Sequence, residues 1–169
     1  MVKVANDEST ISKIDLSFKK ELLSMPGGEI LKNCFQCGLC TGSCIVSRNT
    51  DTFRPRQLLR MVQLGIKNVL KIDDLWRCVT CYTCVERCPQ GVKITDVFTA
   101  LKNMATQDGY LPKAIKELIK AIYEFGRIYE MTDVQEFERE ELELPDIPEA
   151  SPLTFRKIAE KTGLTQLID

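Results

Sequence analysis

The chain contains no histidine. That one absence removes His-ligated zinc, Rieske-type ligation, axial histidine on haem, and serine–histidine or cysteine–histidine catalysis. A charge excess of either sign is also lacking. The formal net charge is −1, so no global field favours nucleic acid. No apolar run approaches the length of a membrane span. The N-terminal MVKVANDEST lacks the basic and apolar regions of a signal peptide, and a soluble, cytoplasmic protein is expected. Alternating strand patterns are almost absent, whereas 44% hydrophobic residues suffice for a packed core. A mainly α fold is the expectation.

What the chain does have is cysteine in a repeated pattern. Cys34-x2-Cys37-x2-Cys40-x3-Cys44 recurs as Cys78-x2-Cys81-x2-Cys84-x3-Cys88, followed by Pro89. These two runs hold all eight cysteines. The spacing is that of bacterial-type ferredoxins, whose runs hold [4Fe–4S] clusters. A cubane presents its irons at the corners of a tetrahedron, and each takes one thiolate. Three thiolates spaced by two residues wrap one face of the cube from a tight loop, and the fourth corner must be reached from elsewhere. In two-cluster ferredoxins the last cysteine of each run serves the other cluster. By that rule Cys34, Cys37, Cys40 and Cys88 hold one cluster, and Cys78, Cys81, Cys84 and Cys44 the other. A four-cysteine zinc site would use paired C-x2-C units across a long gap and leave half of these cysteines unexplained. A disulfide framework belongs to small secreted chains.

The expected organisation has three parts. Residues 1–29 form a helical lead-in, residues 30–131 an α-helical ferredoxin-type domain with two cluster loops, and residues 132–169 an acidic C-terminal arm. In the lead-in, Asp15 caps a helix that Pro26-Gly27-Gly28 ends. Glu29 to Asn33 deliver the chain to Cys34. Gly38, and Gly42 likewise, are expected where backbone passes close to a cluster. The insert between the runs reads as helical, with Pro55 in a first turn, Leu58, Leu59 and Val62 on one face, and Gly65 as a stop. A second short helix carries Ile66, Val69 and Leu70, and Asp73 or Asp74 caps a turn into Cys78. After Pro89, Thr95 or Asp96 caps a helix striped with Val97, Phe98, Leu101, Met104 and Ala105. Pro112 opens a longer one whose apolar face runs from Ile115 to Tyr129. These stripes read as core, or as a partner-docking face. Residues 132–152 read as an extended acidic linker punctuated by Pro145, Pro148 and Pro152, either a solvated tail or a strap on a partner. A last short helix lies around Phe155 to Lys161.

A cubane with four thiolates is anionic, so its burial needs donors or cations. The insert supplies Arg48, Arg54, Arg56, Arg60, Lys67, Lys71 and Arg77, which either raise the cluster potentials or only solubilise the surface. Val79, Tyr82, Val85 and Ile94 are expected to shield the clusters from water. No residue set supplies a catalytic acid, base or spare nucleophile, so no catalytic residue is assigned. One-electron transfer is the chemistry left to the chain.

Three stretches carry a resemblance to a family. They are CFQCGLCTGSC (34–44), RPRQLLRMVQLG (54–65) and DDLWRCVTCYTCVERCPQGVKITDV (73–97). Together they resemble the ferredoxin-type, or C-type, subunit of heterodisulfide reductase, over roughly residues 30 to 130. One departure is Ile45, where a proline often follows the fourth cysteine of the first run. The resemblance implies an α-helical ferredoxin with two [4Fe–4S] clusters and no catalytic centre of its own. It implies a hetero-oligomer, in which a flavin-containing A-type subunit delivers electrons. Through this chain they reach a catalytic B-type subunit that reduces the coenzyme M–coenzyme B disulfide in methane formation. The alternative is an iron–sulfur relay in another dehydrogenase or sulfur-metabolism complex. A structural metal-binding module is a further class, which iron and sulfide analysis separates from both.

Overall fold

The computed structural model describes residues 14–128, 131–148 and 150–167. Among these residues the chain is helical and has no strand, only an isolated bridge between Ile14 and Ile66. Two compact units divide at residue 110, Met1–Tyr110 and Leu111–Asp169.

In the first unit Asp15 caps α1 (Leu16–Ser24), accepting from the N–H groups of Ser17 and Phe18 at 2.8 and 3.1 Å. The Ser17 hydroxyl donates to the same carboxylate, and these bonds hold its pKa below the usual carboxylate range. Phe18 and Leu22, four residues apart, share the face that α1 buries. A turn of 3-10 helix, Glu29–Asn33, leads to Cys34. Two one-turn helices follow, α2 (Leu39–Gly42) and α3 (Ile45–Asn49). Pro55 opens α4 (Pro55–Gln63), which buries Leu58, Leu59 and Val62. Gly65 ends it at φ +75°, and a Cβ there would lie 2.8 Å from the Asp15 carbonyl oxygen. Glycine is needed at this point because the Asp15 N–H donates to the Gly65 carbonyl at 2.7 Å, tying α1 to the end of α4.

Two further 3-10 turns, Lys67–Lys71 and Asp73–Arg77, bury Val69, Leu70 and Leu75. Asp73 and Asp74 do not cap the second turn, whose cap position is Ile72. Asp74 is buried instead, where it accepts from the Thr52 hydroxyl at 2.6 Å and pairs with Arg77 at 2.9 Å. It ties the loop before α4 to the approach to the second cysteine run. After α5 (Thr83–Glu86) comes α6 (Ile94–Gln107), which starts before Thr95 and has no side-chain cap. Thr95 and Asp96 therefore do not cap it: both lie inside the first turn, and Thr95 faces the interior. The core closes around Phe53 and Phe98, whose rings meet edge-on at 6.1 Å.

The second unit holds α7 (Lys113–Phe125), α8 (Asp133–Glu141) and α9 (Leu153–Thr162). None of α7's residues is buried, and its stripe leaves Leu118 and Phe125 exposed. Tyr129, placed on that stripe from sequence, lies outside the described residues. The reading of residues 132–152 as extended chain is corrected by α8. A capping box forms there, with the Thr132 side chain taking the N3 backbone and the Gln135 side chain taking the Thr132 N–H at 3.0 Å. Asp133 and Glu136 in the first turn favour the helix dipole. Arg156 of α9 donates to the Tyr123 and Glu124 carbonyls at the C-terminal end of α7, at 2.8 and 3.2 Å.

Candidate iron–sulfur sites

The two cysteine runs fold alike. Gln36 and Gly38 in the first have positive φ, 67° and 87°, and Thr80 and Tyr82 hold the same two places in the second, at 50° and 59°. The left-handed residues turn each loop so that successive thiols point inward. Each loop then enters a single helical turn, α2 or α5, and these two turns pack against each other. Left-handed backbone costs a non-glycine residue on the order of 1 kcal/mol, so three such residues mark a demanded geometry.

One cavity is lined by Cys78, Cys81, Cys84 and Cys44. A second is lined by Cys34, Cys37, Cys40 and Cys88. Each run thus places its first three thiols on one cavity and its last on the other. Among the described residues no three cysteines or carboxylates close to the spacing of a single metal ion. The thiols stand around a space instead, and four thiols about a shared cavity fit a cubane. Their surroundings fit it too. The Val92 N–H donates to Cys88 Sγ at 3.3 Å, and the Gln36 amide approaches Cys34 Sγ at 3.6 Å. Gln63 holds that amide at 2.9 Å and the Cys34 carbonyl at 2.7 Å. Thr83 Oγ1 lies 3.5 Å from Cys81 Sγ, and Thr95 Oγ1 lies 3.9 Å from Cys84 Sγ.

Burial pushes the Cys40 thiol up to about 11, against hydrogen bonding from Thr41. Burial likewise raises Cys78 and Cys84. Cys81, at the surface, is lowered by its bond with Thr83. Buried neutral thiols give up protons when a metal group takes them, so occupancy of these sites is coupled to pH.

The shielding residues differ in part from expectation. Val79 and Tyr82 line the first cavity while remaining 60% and 50% exposed, and Ile94 lines the second. Val85 lines neither; Phe53, Phe98, Val92 and Leu39 do. A Cβ on Gly38 would meet Arg56 Cδ at 3.4 Å beside the second cavity, whereas one on Gly42 would meet no protein atom within 4 Å. The basic insert divides as well. Arg54 donates to the Ser47, Thr50 and Phe53 carbonyls, Arg77 pairs with Asp74, Lys67 pairs with Asp108, and Lys71 lies over the Tyr110 ring. Of the insert's cations only Arg56 lines one of these two thiol cavities. Sequence reasoning missed two neighbours of the thiols. Lys102 lies over Trp76 and donates to the Cys78 carbonyl at 3.3 Å, and nothing in its local pattern signals this. Thr95 had a signal: three residues before Phe98, it falls on the buried stripe of α6.

Residues 30–92 match the 4Fe-4S dicluster domain family. The chain is also 36% identical to the C-type subunit of the H2:CoB–CoM heterodisulfide,ferredoxin reductase of Methanothermobacter thermautotrophicus, over 99% of this chain and 95% of the relative. The chain belongs to the C-type subunit family of heterodisulfide reductases. The C-type iron–sulfur subunit of the Methanopyrus kandleri CoB–CoM heterodisulfide reductase is 42% identical over 73% of this chain, and the second such subunit of Methanocaldococcus jannaschii is 48% identical over 57%. The match spans 62% and 51% of those two proteins, so the chain covers between half and two thirds of their length. Ile45, the departure from the family's proline, stands just after Cys44, which caps α3 in extended conformation. No described helix is long and apolar enough to cross a membrane.

Proposed function

We propose that this chain is the electron-transfer subunit of a soluble, cytoplasmic heterodisulfide reductase. In this reading it relays single electrons from a flavin-containing subunit to the catalytic subunit that reduces the coenzyme M–coenzyme B disulfide in methane formation. The observation that carries it is the crossing of the two cysteine runs over two neighbouring cavities. Cys34, Cys37, Cys40 and Cys88 would hold one [4Fe–4S] cluster, and Cys78, Cys81, Cys84 and Cys44 the other. When bound, such clusters supply one-electron carriers. The chain's own residues hold and wrap them. Phe53 and Phe98 exclude water on one side, and Val92 and Ile94 on the other. The Gln36 amide and the Val92 N–H direct polar hydrogens at the sulfurs, and the Thr83 and Thr95 hydroxyls lie against two more. Arg56 and Lys102 place positive charge near the two sites.

All eight cysteines are spent on the two sites, so no thiol is spare for a mixed disulfide with substrate. The isolated holo-protein should therefore take up about eight irons and accept electrons from a low-potential reductant, yet leave the heterodisulfide unreduced. Adding the catalytic subunit should restore turnover. Disulfide reduction by the chain alone, or undiminished flavin-to-disulfide flow in a complex lacking it, would overturn the relay assignment.

A further inference from the structure

Beside the cavity of Cys34, Cys37, Cys40 and Cys88 runs an open groove, and Cys34 and Gln36 line both. Its cations come from three elements: Lys19 on α1, Lys32 on the turn before Cys34, and Arg56 and Arg60 on α4. Among the described residues no carboxylate lines it. Its floor is apolar, made by Leu23, Leu31 and Phe35, and Phe35 stays 59% exposed beside the Cys34 ligand position. Arg56 also lines the thiol cavity, where an anionic group would answer its charge. Lys19, Lys32 and Arg60 make no ion pair among the described residues. Arg56 and Arg60 stand four apart on one helix face, a like-charge pair that destabilises an isolated helix. The rim of the other thiol cavity is different: there the exposed residues are Val79, Thr80, Cys81 and Tyr82, with no Lys, Arg, Asp or Glu among them. The two sites thus open onto surfaces of unlike chemistry, one basic and one without basic residues.

We infer that the groove is the docking surface for a carboxylate-rich segment of one electron-exchanging partner protein, which it seats against the Cys34 side of the relay. The argument is charge complementarity. A basic rim around an apolar floor recruits an acidic segment by long-range attraction and holds it by burying an apolar anchor on Phe35. The inference rests on the proposed function, since it takes the partner to be one of the two neighbouring subunits. It adds that only one of them binds through this groove, and in a salt-dependent way.

The test uses the holo-protein, titrated separately with each of the isolated flavin and catalytic subunits. Binding is measured at about 50 mM and about 500 mM salt, between which the screening length shrinks severalfold. For one partner only, affinity should fall with salt. The Lys32→Glu/Arg60→Glu pair should lose on the order of tenfold or more of that affinity at low salt. Lys20→Glu, a single charge reversal on α1 outside the groove, should not. Cluster absorbance certifies each variant, and Lys32→Gln and Arg60→Gln replace the double variant if it fails to load. Variants that bind both partners as tightly as the parent overturn the groove assignment while leaving the relay reading intact. A parent chain that binds neither partner overturns the relay reading, and this inference with it.

Discussion

Cys44 and Cys88 close the runs they belong to in sequence, yet each lines the cavity of the other run. That crossing makes the sharpest single-residue expectation. Cys44→Ser should disturb the EPR signal of the cluster proposed at Cys78, Cys81 and Cys84, and Cys88→Ser that of the cluster proposed at Cys34, Cys37 and Cys40. If each substitution perturbs only the cluster of its own run, the crossed assignment is wrong. A second expectation concerns protons. The folded Cys40 thiol is raised from an ordinary 9.0 to about 11, because its burial penalises the thiolate. The neutral thiol thus favours the fold of the metal-free chain at pH values below 9.0, and that contribution is lost as the pH rises through about 11. Cluster binding runs the other way, since it removes the proton. Melting of the apo-protein should weaken between those two pH values. Loss of iron from the holo-protein to a chelator should instead slow as the pH rises from about 6 to about 8. An apo-protein whose melting point is flat over the alkaline range would mean that Cys40 is not buried as a neutral thiol.

The elements around the clusters are short, and their stability comes from what they are tied to. The turn Asp73–Arg77 buries Leu75, packs Trp76 against the core and is tied across the chain by Asp74. Replacing Asp74 by Ala leaves the Thr52 hydroxyl and the Arg77 guanidinium without their shared acceptor. Arg77 is half-exposed and recovers much of its solvation, so the cost is set at about 1–3 kcal/mol by the lost buried hydrogen bond. Chemical denaturation of the holo-protein measures it, and a change below about 0.5 kcal/mol would show that the turn is held by the packing of Leu75 and Trp76. At Tyr82 the element and its residue are in conflict, because an aromatic side chain sits at the left-handed position that glycine takes in the first run. Tyr82→Gly should relieve backbone strain of on the order of 1 kcal/mol and at the same time open the first cavity to water. The expected readout is faster oxidative loss of one cluster without a fall in melting temperature; equal cluster lifetimes would deny Tyr82 its shielding role.

At the scale of the molecule, all eight cysteines lie in the unit Met1–Tyr110, together with α1, α4 and α6. The acidic stretch belongs to the other unit, where Arg156 and the α8 capping box organise it. A chain ending at Met131 should therefore retain full iron and both sets of cluster signals. Iron falling to one cluster or none in that truncation would show that residues 132–169 support the sites. The same chain should lose the helical signal of α8 and α9.

Cofactor and fold class were legible in the residues because they are local properties. Thiol spacing is a chemical requirement of the cubane, the missing histidine excludes its rivals, and a period near 3.6 with a cap at Asp15 and a first-turn proline at Pro55 makes helices whatever surrounds them. The doubled run also announced two equivalent loops before any were seen. Other features depended on which residues meet across the chain. Asp74 looks like a cap and is a buried acceptor. Thr95 looks like a cap and faces Cys84, and Arg54 looks like a charge for the clusters and instead satisfies three carbonyls. The acidic run looked extended because proline and carboxylate counts outweighed one Thr132–Gln135 capping box. A side chain's partner is set by tertiary contact over tens of residues, as with Gln36 and Gln63, and no window of local sequence contains that distance. The basic groove is the largest case: Lys19, Lys32, Arg56 and Arg60 are scattered in the chain, and only the packing of α1, the Glu29–Asn33 turn and α4 sets their charges side by side.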